Sequence, residues 1–79
     1  MQTNIPRKIN TGMWVLTGDK QVGILTAIGD VAGVDLVGAD GVTTLAVQMP
    51  FVSLRQAKLE DIPESRRPAP DFAVQLGYV

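Results

Sequence analysis

Glycine and proline occupy separate parts of this sequence, and their separation limits the possible folds more than any other feature. Seven of the eight glycines lie between Gly12 and Gly41, whereas all five prolines lie outside residues 7–49. Proline cannot donate to a strand ladder, while glycine suits tight turns and bulges. The segments between the glycines are rich in Val, Ile, Leu and Thr, which favour strands. The pattern therefore predicts an all-β domain of short strands.

The spacing of these segments predicts where the strands lie. Four strands are expected before Pro50, which ends the ladder because it has no N–H group; they are Met13–Thr17, Val22–Ile28, Gly33–Val37 and Val42–Met49. An Asp-Gly hairpin turn at Ala39-Asp40-Gly41 joins the last two.

The segment after Pro50 has two readings. A helix capped by Ser53 and running to Asp61 would have a poorly apolar face, because Lys58 falls on it. We therefore predict a short 3₁₀ turn over Val52–Arg55 and a fifth strand over Ala57–Ile62.

The composition changes again after Ile62. Residues 63–70 are rich in proline and charge, which predicts an exposed linker. Apolar residues then alternate at Phe72, Val74, Leu76 and Tyr78, as in a half-buried strand. We divide the chain into an N-terminal extension (1–11), a β-domain (12–62), and a linker with an extended C-terminal arm (63–79). The arm could dock on its own domain, on a sister subunit, or on another protein by strand addition.

Composition excludes several kinds of chemistry. The chain contains no Cys and no His, which rules out disulfides, Cys- or His-based zinc sites and a Ser-His-Asp triad. Asp30, Asp35 and Asp40 recur every five residues, but we interpret Asp30 and Asp40 as turn residues and Asp35 as an outward strand residue, rather than as cation ligands. We predict no catalytic, cofactor-binding or metal-binding residue, and no enzyme activity.

Charge and hydropathy limit which partners and which cellular compartment we expect. The net charge is −1, and residues 12–50 carry one lysine against four aspartates, so we expect no nucleic-acid partner. No apolar run approaches the length of a membrane span, and Met1–Lys8 lacks the apolar segment of a secretory signal. We expect a cytoplasmic protein with no membrane contact.

The first two strands are apolar on both faces. Since side chains alternate along a strand, either Met13 and Val15 or Trp14 and Leu16 must face away from the core. Two such neighbouring strands predict a covered outer face, formed by the arm or by another subunit. The predicted interaction residues are Trp14, Leu16, Ile24, Phe72, Val74, Leu76 and Tyr78. We therefore expect a homo-oligomer with an unidentified protein partner, acting as a non-catalytic assembly module of bacterial, phage or mobile-element type.

Short motifs carry a resemblance to a known fold. Gly12-Met13-Trp14-Val15, Gly18, Val22-Gly23-Ile24-Leu25 and Val34-Asp35-Leu36-Val37 resemble the KOW type of SH3-like barrel found in ribosomal proteins and transcription elongation factors. The resemblance implies a five-stranded SH3-like small barrel over residues 12–62, with a short 3₁₀ turn before the last strand. It also implies RNA or ribosome binding as an alternative function, with Arg7 and Lys8 or Arg66 and Arg67 as a basic edge.

A second resemblance concerns the fourth strand. Val47-Gln48 is similar to part of the active-pore stretch of the type II, plasmid-borne dihydrofolate reductases, which are also SH3-like barrels. Pro50 stands where those enzymes have a tyrosine, and no lysine stands at Leu16 or Thr17. The match therefore implies a shared fold, and leaves reductase activity as a remote alternative.

Overall fold

The described residues form one five-stranded antiparallel sheet and one short helix. A computed structural model describes residues 9–78, so most of the predicted N-terminal extension, and Val79, lie outside the described residues. The strands run in the order β4-β3-β2-β1-β5; they are β1 (Trp14–Leu16), β2 (Val22–Ala27), β3 (Val31–Val37), β4 (Thr44–Pro50) and β5 (Arg55–Gln56). Three 3₁₀ turns (Phe51–Ser53, Leu59–Asp61, Glu64–Arg66) and helix α1 (Pro70–Leu76) complete the fold.

The mostly β architecture with five strands is confirmed, and the first four strands overlap their predicted positions. The predicted 3₁₀ turn is present, one residue earlier than expected. Strand β3 begins at Val31 rather than Gly33, because Val31 pairs with Pro50 at the end of the β3–β4 ladder. The outer strands of the sheet, β4 and β5, do not pair with each other.

The prediction of a fifth strand over Ala57–Ile62 is wrong. Strand β5 covers only Arg55–Gln56, which pair with Leu16 and Val15. After it the chain turns into a 3₁₀ turn, because the Asp61 carboxylate accepts a hydrogen bond from the Lys58 N–H at 2.9 Å. A side chain that reaches back to the backbone offers an alternative to a strand ladder.

The prediction of an extended C-terminal arm is also wrong, since residues 70–76 form helix α1. Pro70 occupies the first turn, where its missing N–H costs nothing, and Gly77 ends the helix with a positive φ of 86°. The N–H of Tyr78 donates to the Ala73 carbonyl at 2.9 Å, closing the helix end. The alternation of apolar residues was misleading because the helix buries only Ala73.

Side chains on one face of the sheet form the first apolar core. This Val15 face contains buried side chains from β1, β2 and β3, and Leu54 and Ile9 pack against them. Val47, Met49 and Phe51 pack at its margin. Ile9 therefore ties the chain before β1 to the core, although that position belongs to the predicted N-terminal extension.

The opposite face forms a second core. This Trp14 face presents Trp14 from β1 and Val37 from β3, with Val22 and Ile24 of β2 half-buried beside them. Residues 57–78 pack over it, and we call them the C-terminal cover; their buried side chains are Ala57, Ile62, Ala73 and Tyr78. The two-faced sheet predicted from the sequence is thus covered on its second face by the same chain.

Asp40 organises the turn between β3 and β4, as the predicted Asp-Gly turn requires. Its carboxylate accepts hydrogen bonds from the N–H groups of Val42 and Thr43 at 2.9 Å and from the Thr43 hydroxyl at 2.6 Å. These donors stabilise the charged form and lower the pKa of Asp40 to about 2, the Thr43 hydroxyl contributing most. Gly41 completes the turn with a φ of 75°.

The turn makes a specific prediction for stability against pH. The pKa of Asp40 falls from its ordinary 3.8 to about 2 on folding, so its charge stabilises the fold above pH 3.8 and this contribution disappears as the pH falls through about 2. Asp40→Asn removes the charge while keeping an acceptor oxygen for the two N–H groups. We expect the wild type to have the higher thermal midpoint at neutral pH and the two midpoints to converge in acid. A difference that stays constant with pH would contradict the assignment.

Candidate interaction surfaces

Tyr78 anchors the C-terminal cover to the sheet. Its hydroxyl accepts a hydrogen bond from the Trp14 N–H at 2.8 Å, across 64 positions of sequence, and both residues are buried. Its carbonyl accepts a hydrogen bond from the Leu59 N–H at 3.0 Å. One residue therefore connects the end of the chain to β1 and to the 3₁₀ turn that follows β5.

The hydroxyl of Tyr78 occupies a place that a longer β5 would fill. The Trp14 carbonyl accepts from the Ala57 N–H at 3.2 Å, just beyond the two residues of β5. The chain then leaves the sheet. Among the described residues, no backbone carbonyl beyond β5 is therefore in place to accept a hydrogen bond from the Trp14 N–H. A buried N–H without an acceptor costs about 1–3 kcal/mol, so the Tyr78 hydroxyl removes a substantial penalty.

Arg66 and Arg67 hold the predicted linker against the domain. The Arg66 guanidinium lies 5.4 Å from the centre of the Trp14 ring and donates to the Gly41 carbonyl at 2.8 Å. Arg67 donates to the carbonyls of Ile62 and Glu60 at 2.8 and 3.2 Å. Both arginines thus bind backbone oxygens of their own chain, and the segment between the sheet and α1 is docked rather than free.

The predicted interaction residues divide into two groups. Trp14 is 7% exposed and Tyr78 is 5% exposed, so both lie beneath the C-terminal cover, and Leu16 and Ile24 are half-buried on the same face of the sheet. The other predicted residues are exposed on α1: Phe72, Val74 and Leu76.

The apolar arc of α1 is wider than its contact with the sheet. Ala73 faces the Trp14 face and is fully buried. Phe72 and Leu76 are four residues apart and lie on one side of Ala73, while Val74 lies on the other. This arrangement leaves two narrow apolar flanks on a helix of seven residues.

The outer edge of β4 is a surface that the sequence predictions missed. Among residues 9–78, strand β4 pairs with β3 on one side and with no strand on the other. No Asp, Glu, Lys or Arg occurs between Asp40 and Arg55, a stretch that contains the whole strand. Leu45, which belongs to the Val15 face, is 62% exposed. The long uncharged stretch is the signal that could have identified this edge, because natural proteins protect exposed edges with charge.

Successive residues of β4 point their backbone N–H and C=O groups alternately toward β3 and toward the free edge. The Gly38 N–H donates to the Thr43 carbonyl at 2.8 Å, and the Phe51 N–H donates to the Asp30 carbonyl at 3.0 Å. In an antiparallel ladder the residues that face a partner strand recur at every second position. The backbone groups of Thr44, Ala46 and Gln48 therefore point away from β3.

Gln48 and Val47, which carried the reductase resemblance, lie on opposite faces of β4. Val47 packs against the first core, whereas Gln48 is exposed on the Trp14 face, beyond the C-terminal cover. Gln48 pairs with Gly33 in the ladder. Its surroundings in the open groove there are small or polar, including Thr26, Asp35 and Ala46.

An open cleft of about 640 Å³ lies between one end of the sheet and the first part of the C-terminal cover. Charged groups of both signs line it: Lys20 and Arg67 as cations, and Glu60, Asp61 and Glu64 as anions. Asp61 is engaged with the Lys58 N–H. Among residues 9–78, no group of three or more acidic side chains is placed to hold a metal ion.

Comparison with protein-family models, with curated proteins and with solved structures finds no match to this chain. Within residues 9–78 no helix is long and apolar enough to cross a membrane.

The Tyr78 hydroxyl can be tested by a conservative change. Tyr78→Phe keeps the buried ring but leaves the Trp14 N–H without an acceptor, so we expect the free energy of unfolding to fall by about 1–3 kcal/mol. Urea denaturation measures this change. Phe72→Ala serves as the control, because Phe72 is 60% exposed and its loss should change stability by less than about 0.5 kcal/mol. Equal stability of Tyr78→Phe and wild type would contradict the assigned role.

The part of the cover after Pro63 can be tested by truncation. Removing residues 64–79 exposes the Trp14 ring and deletes the buried Tyr78 and Ala73. Loss of one buried aromatic side chain costs about 3–5 kcal/mol, so we expect a loss of at least about 3 kcal/mol, measured by urea denaturation. A truncated chain with unchanged stability would show that residues 64–79 contribute nothing to the stability of the fold.

Proposed function

We propose that this chain is a small non-catalytic interaction module with an SH3-like barrel fold that associates with copies of itself. The observation that carries the proposal is the free, uncharged edge of β4, with Leu45 exposed beside it. The proposal places the association at β4 rather than at Trp14, because the C-terminal cover already buries the Trp14 ring.

The strand connectivity supports an SH3-like fold. A 3₁₀ turn over Phe51–Ser53 carries the chain from β4, at one edge of the sheet, to β5 at the other. Strand β5 then pairs with β1, and Leu54 between the two elements is fully buried in the core of the Val15 face. The arrangement of five short strands with a 3₁₀ turn before the last agrees with the resemblance to KOW-type barrels.

The edge itself supports association. An exposed strand presents a row of unpaired N–H and C=O groups, which natural proteins protect with lysine, proline, bulges or a covering element. Strand β4 carries only Pro50, at its last position. The bulge of the sheet lies in β2, between Leu25 and Ala27, and does not interrupt β4. In the described part of the chain, the outward backbone groups of Thr44, Ala46 and Gln48 therefore remain available for pairing.

The RNA-binding alternative has weaker support. Phosphate binding depends on arginine and lysine side chains that can neutralise the backbone charge. Arg66 and Arg67 instead donate to carbonyls of their own chain, and Arg66 lies over the Trp14 ring.

Sedimentation of the full chain at increasing concentration tests the proposal. We expect the average mass to rise above that of one chain as the concentration rises. Burial of a leucine side chain is worth about 1.5–3 kcal/mol, so Leu45→Glu should weaken association at least about tenfold. Phe72→Glu is the matched control, since it places the same charge on a similarly exposed apolar residue of α1.

Three results would count against the proposal. A single-chain mass at every concentration would exclude self-association. Weakening by Phe72→Glu but not by Leu45→Glu would move the contact to α1. Retention of the chain on RNA at low salt, lost when Arg66 and Arg67 become alanine, would instead favour the KOW-type alternative.

A further inference from the structure

This inference rests on the proposed self-association and specifies its geometry. We infer that two copies of the chain pair their β4 strands antiparallel about a two-fold axis at Ala46, so that the two sheets join into one continuous sheet. The partner is a second copy of this chain, and the contact is backbone pairing rather than the packing of an apolar patch.

The backbone of β4 selects this register. With the axis at Ala46, Thr44 lies opposite Gln48 of the partner subunit, and Ala46 lies opposite its own copy. Every outward N–H and C=O of Thr44, Ala46 and Gln48 then has a partner. Moving the axis by one residue to Val47 places Thr44 opposite the partner's Pro50, which has no N–H to give to the Thr44 carbonyl. Moving it to Leu45 leaves Gln48 opposite the partner's Val42, whose N–H already donates to Asp40.

The side chains are compatible with the same register. On the Val15 face, Leu45 lies beside Val47 of the partner subunit, so pairing covers a leucine that is otherwise mostly exposed. On the Trp14 face, the small Ala46 sits at the axis. An isologous contact brings identical residues together, so any charge near the axis would repel its own copy. Strand β4 has no charged side chain.

Access to the edge is open on the Trp14 face. The buried residues of the C-terminal cover pack with Trp14 and Val37 and with the half-buried β2 side chains. Beyond them, Gly33 and Asp35 of β3 and Ala46 of β4 line an open groove. A second copy can therefore approach β4 without displacing the cover.

A charge exchange at Ala46 tests the register. Ala46 is exposed and its N–H points away from β3, so Ala46→Lys should fold like the wild type. Ala46 pairs with Asp35 in the ladder, so Ala46→Glu should lose a small part of the stability, and the urea midpoint measures both variants. Each variant alone brings two like-charged side chains together at the axis, where the two Cα atoms are about 5.5 Å apart. We expect each to self-associate at least about tenfold more weakly than wild type. An equal mixture should regain association, because opposite charges then meet.

The matched control places the same charges at Val74, which is 62% exposed and lies on α1, away from β4. Val74→Lys and Val74→Glu should associate like the wild type. If the wild type associates but the Ala46 and Val74 variants behave alike, the register is wrong while the proposed function stands. If the wild type does not associate, the proposed function itself fails.

Amide hydrogen exchange provides an independent measurement. The N–H groups of Thr44, Ala46 and Gln48 should exchange more slowly as the wild-type concentration rises, and this protection should disappear in Ala46→Lys at the same concentration. Exchange that does not depend on concentration, in a sample that sedimentation shows to be associated, would overturn the pairing. Protection that appears only when an extended peptide is added would assign the edge to another protein.

Discussion

The hydrogen bond between the Trp14 N–H and the Tyr78 hydroxyl joins the two parts of the molecule on which the fold depends. Strand β1 is only three residues long and has β2 on one side and the short β5 on the other. Where β5 ends, the backbone of β1 beside a buried tryptophan needs another acceptor. Tyr78 provides it from the C-terminal cover, and its side chain is buried in the core of the Trp14 face. The cover is therefore part of the sheet's hydrogen bonding as well as its packing.

The sequence contained enough information for the strands but not for the segments that cover them. Glycine and proline positions located four strands, because each strand lies between turns that need those residues. Alternation placed Val15 and Trp14 on opposite faces of the first strand and predicted that the face turned away from the core is covered. The alternation of apolar residues over 72–78 did not distinguish a strand from a helix. A short helix with one buried residue can carry the same apolar pattern. Pro70 and Gly77 mark the beginning and end of that helix, and their positions were the better signal.

The candidate surfaces differ in how far they could be predicted. Trp14 was expected to need a cover, and its cover is present in the same chain. The β4 edge could not be recognised from periodicity, which reports which face a side chain occupies and not whether a strand has a neighbour. Strand order depends on long-range pairing such as that of β5 with β1. Only the absence of charge between Asp40 and Arg55 pointed to this edge in advance.

The position of the cover and the open edge of β4 both follow from where apolar side chains lie on the Trp14 face. The Trp14 face changes character across β3: Val37 is apolar and buried, whereas Asp35 and Gly33 are half-buried and give way to Ala46 and Gln48 on β4. Water can contact that half of the face at little cost, because few apolar side chains are exposed there. A cover that ends at Val37 therefore buries the apolar half of the Trp14 face. It also leaves β4 accessible, so the proposed contact between copies would require no rearrangement of the fold.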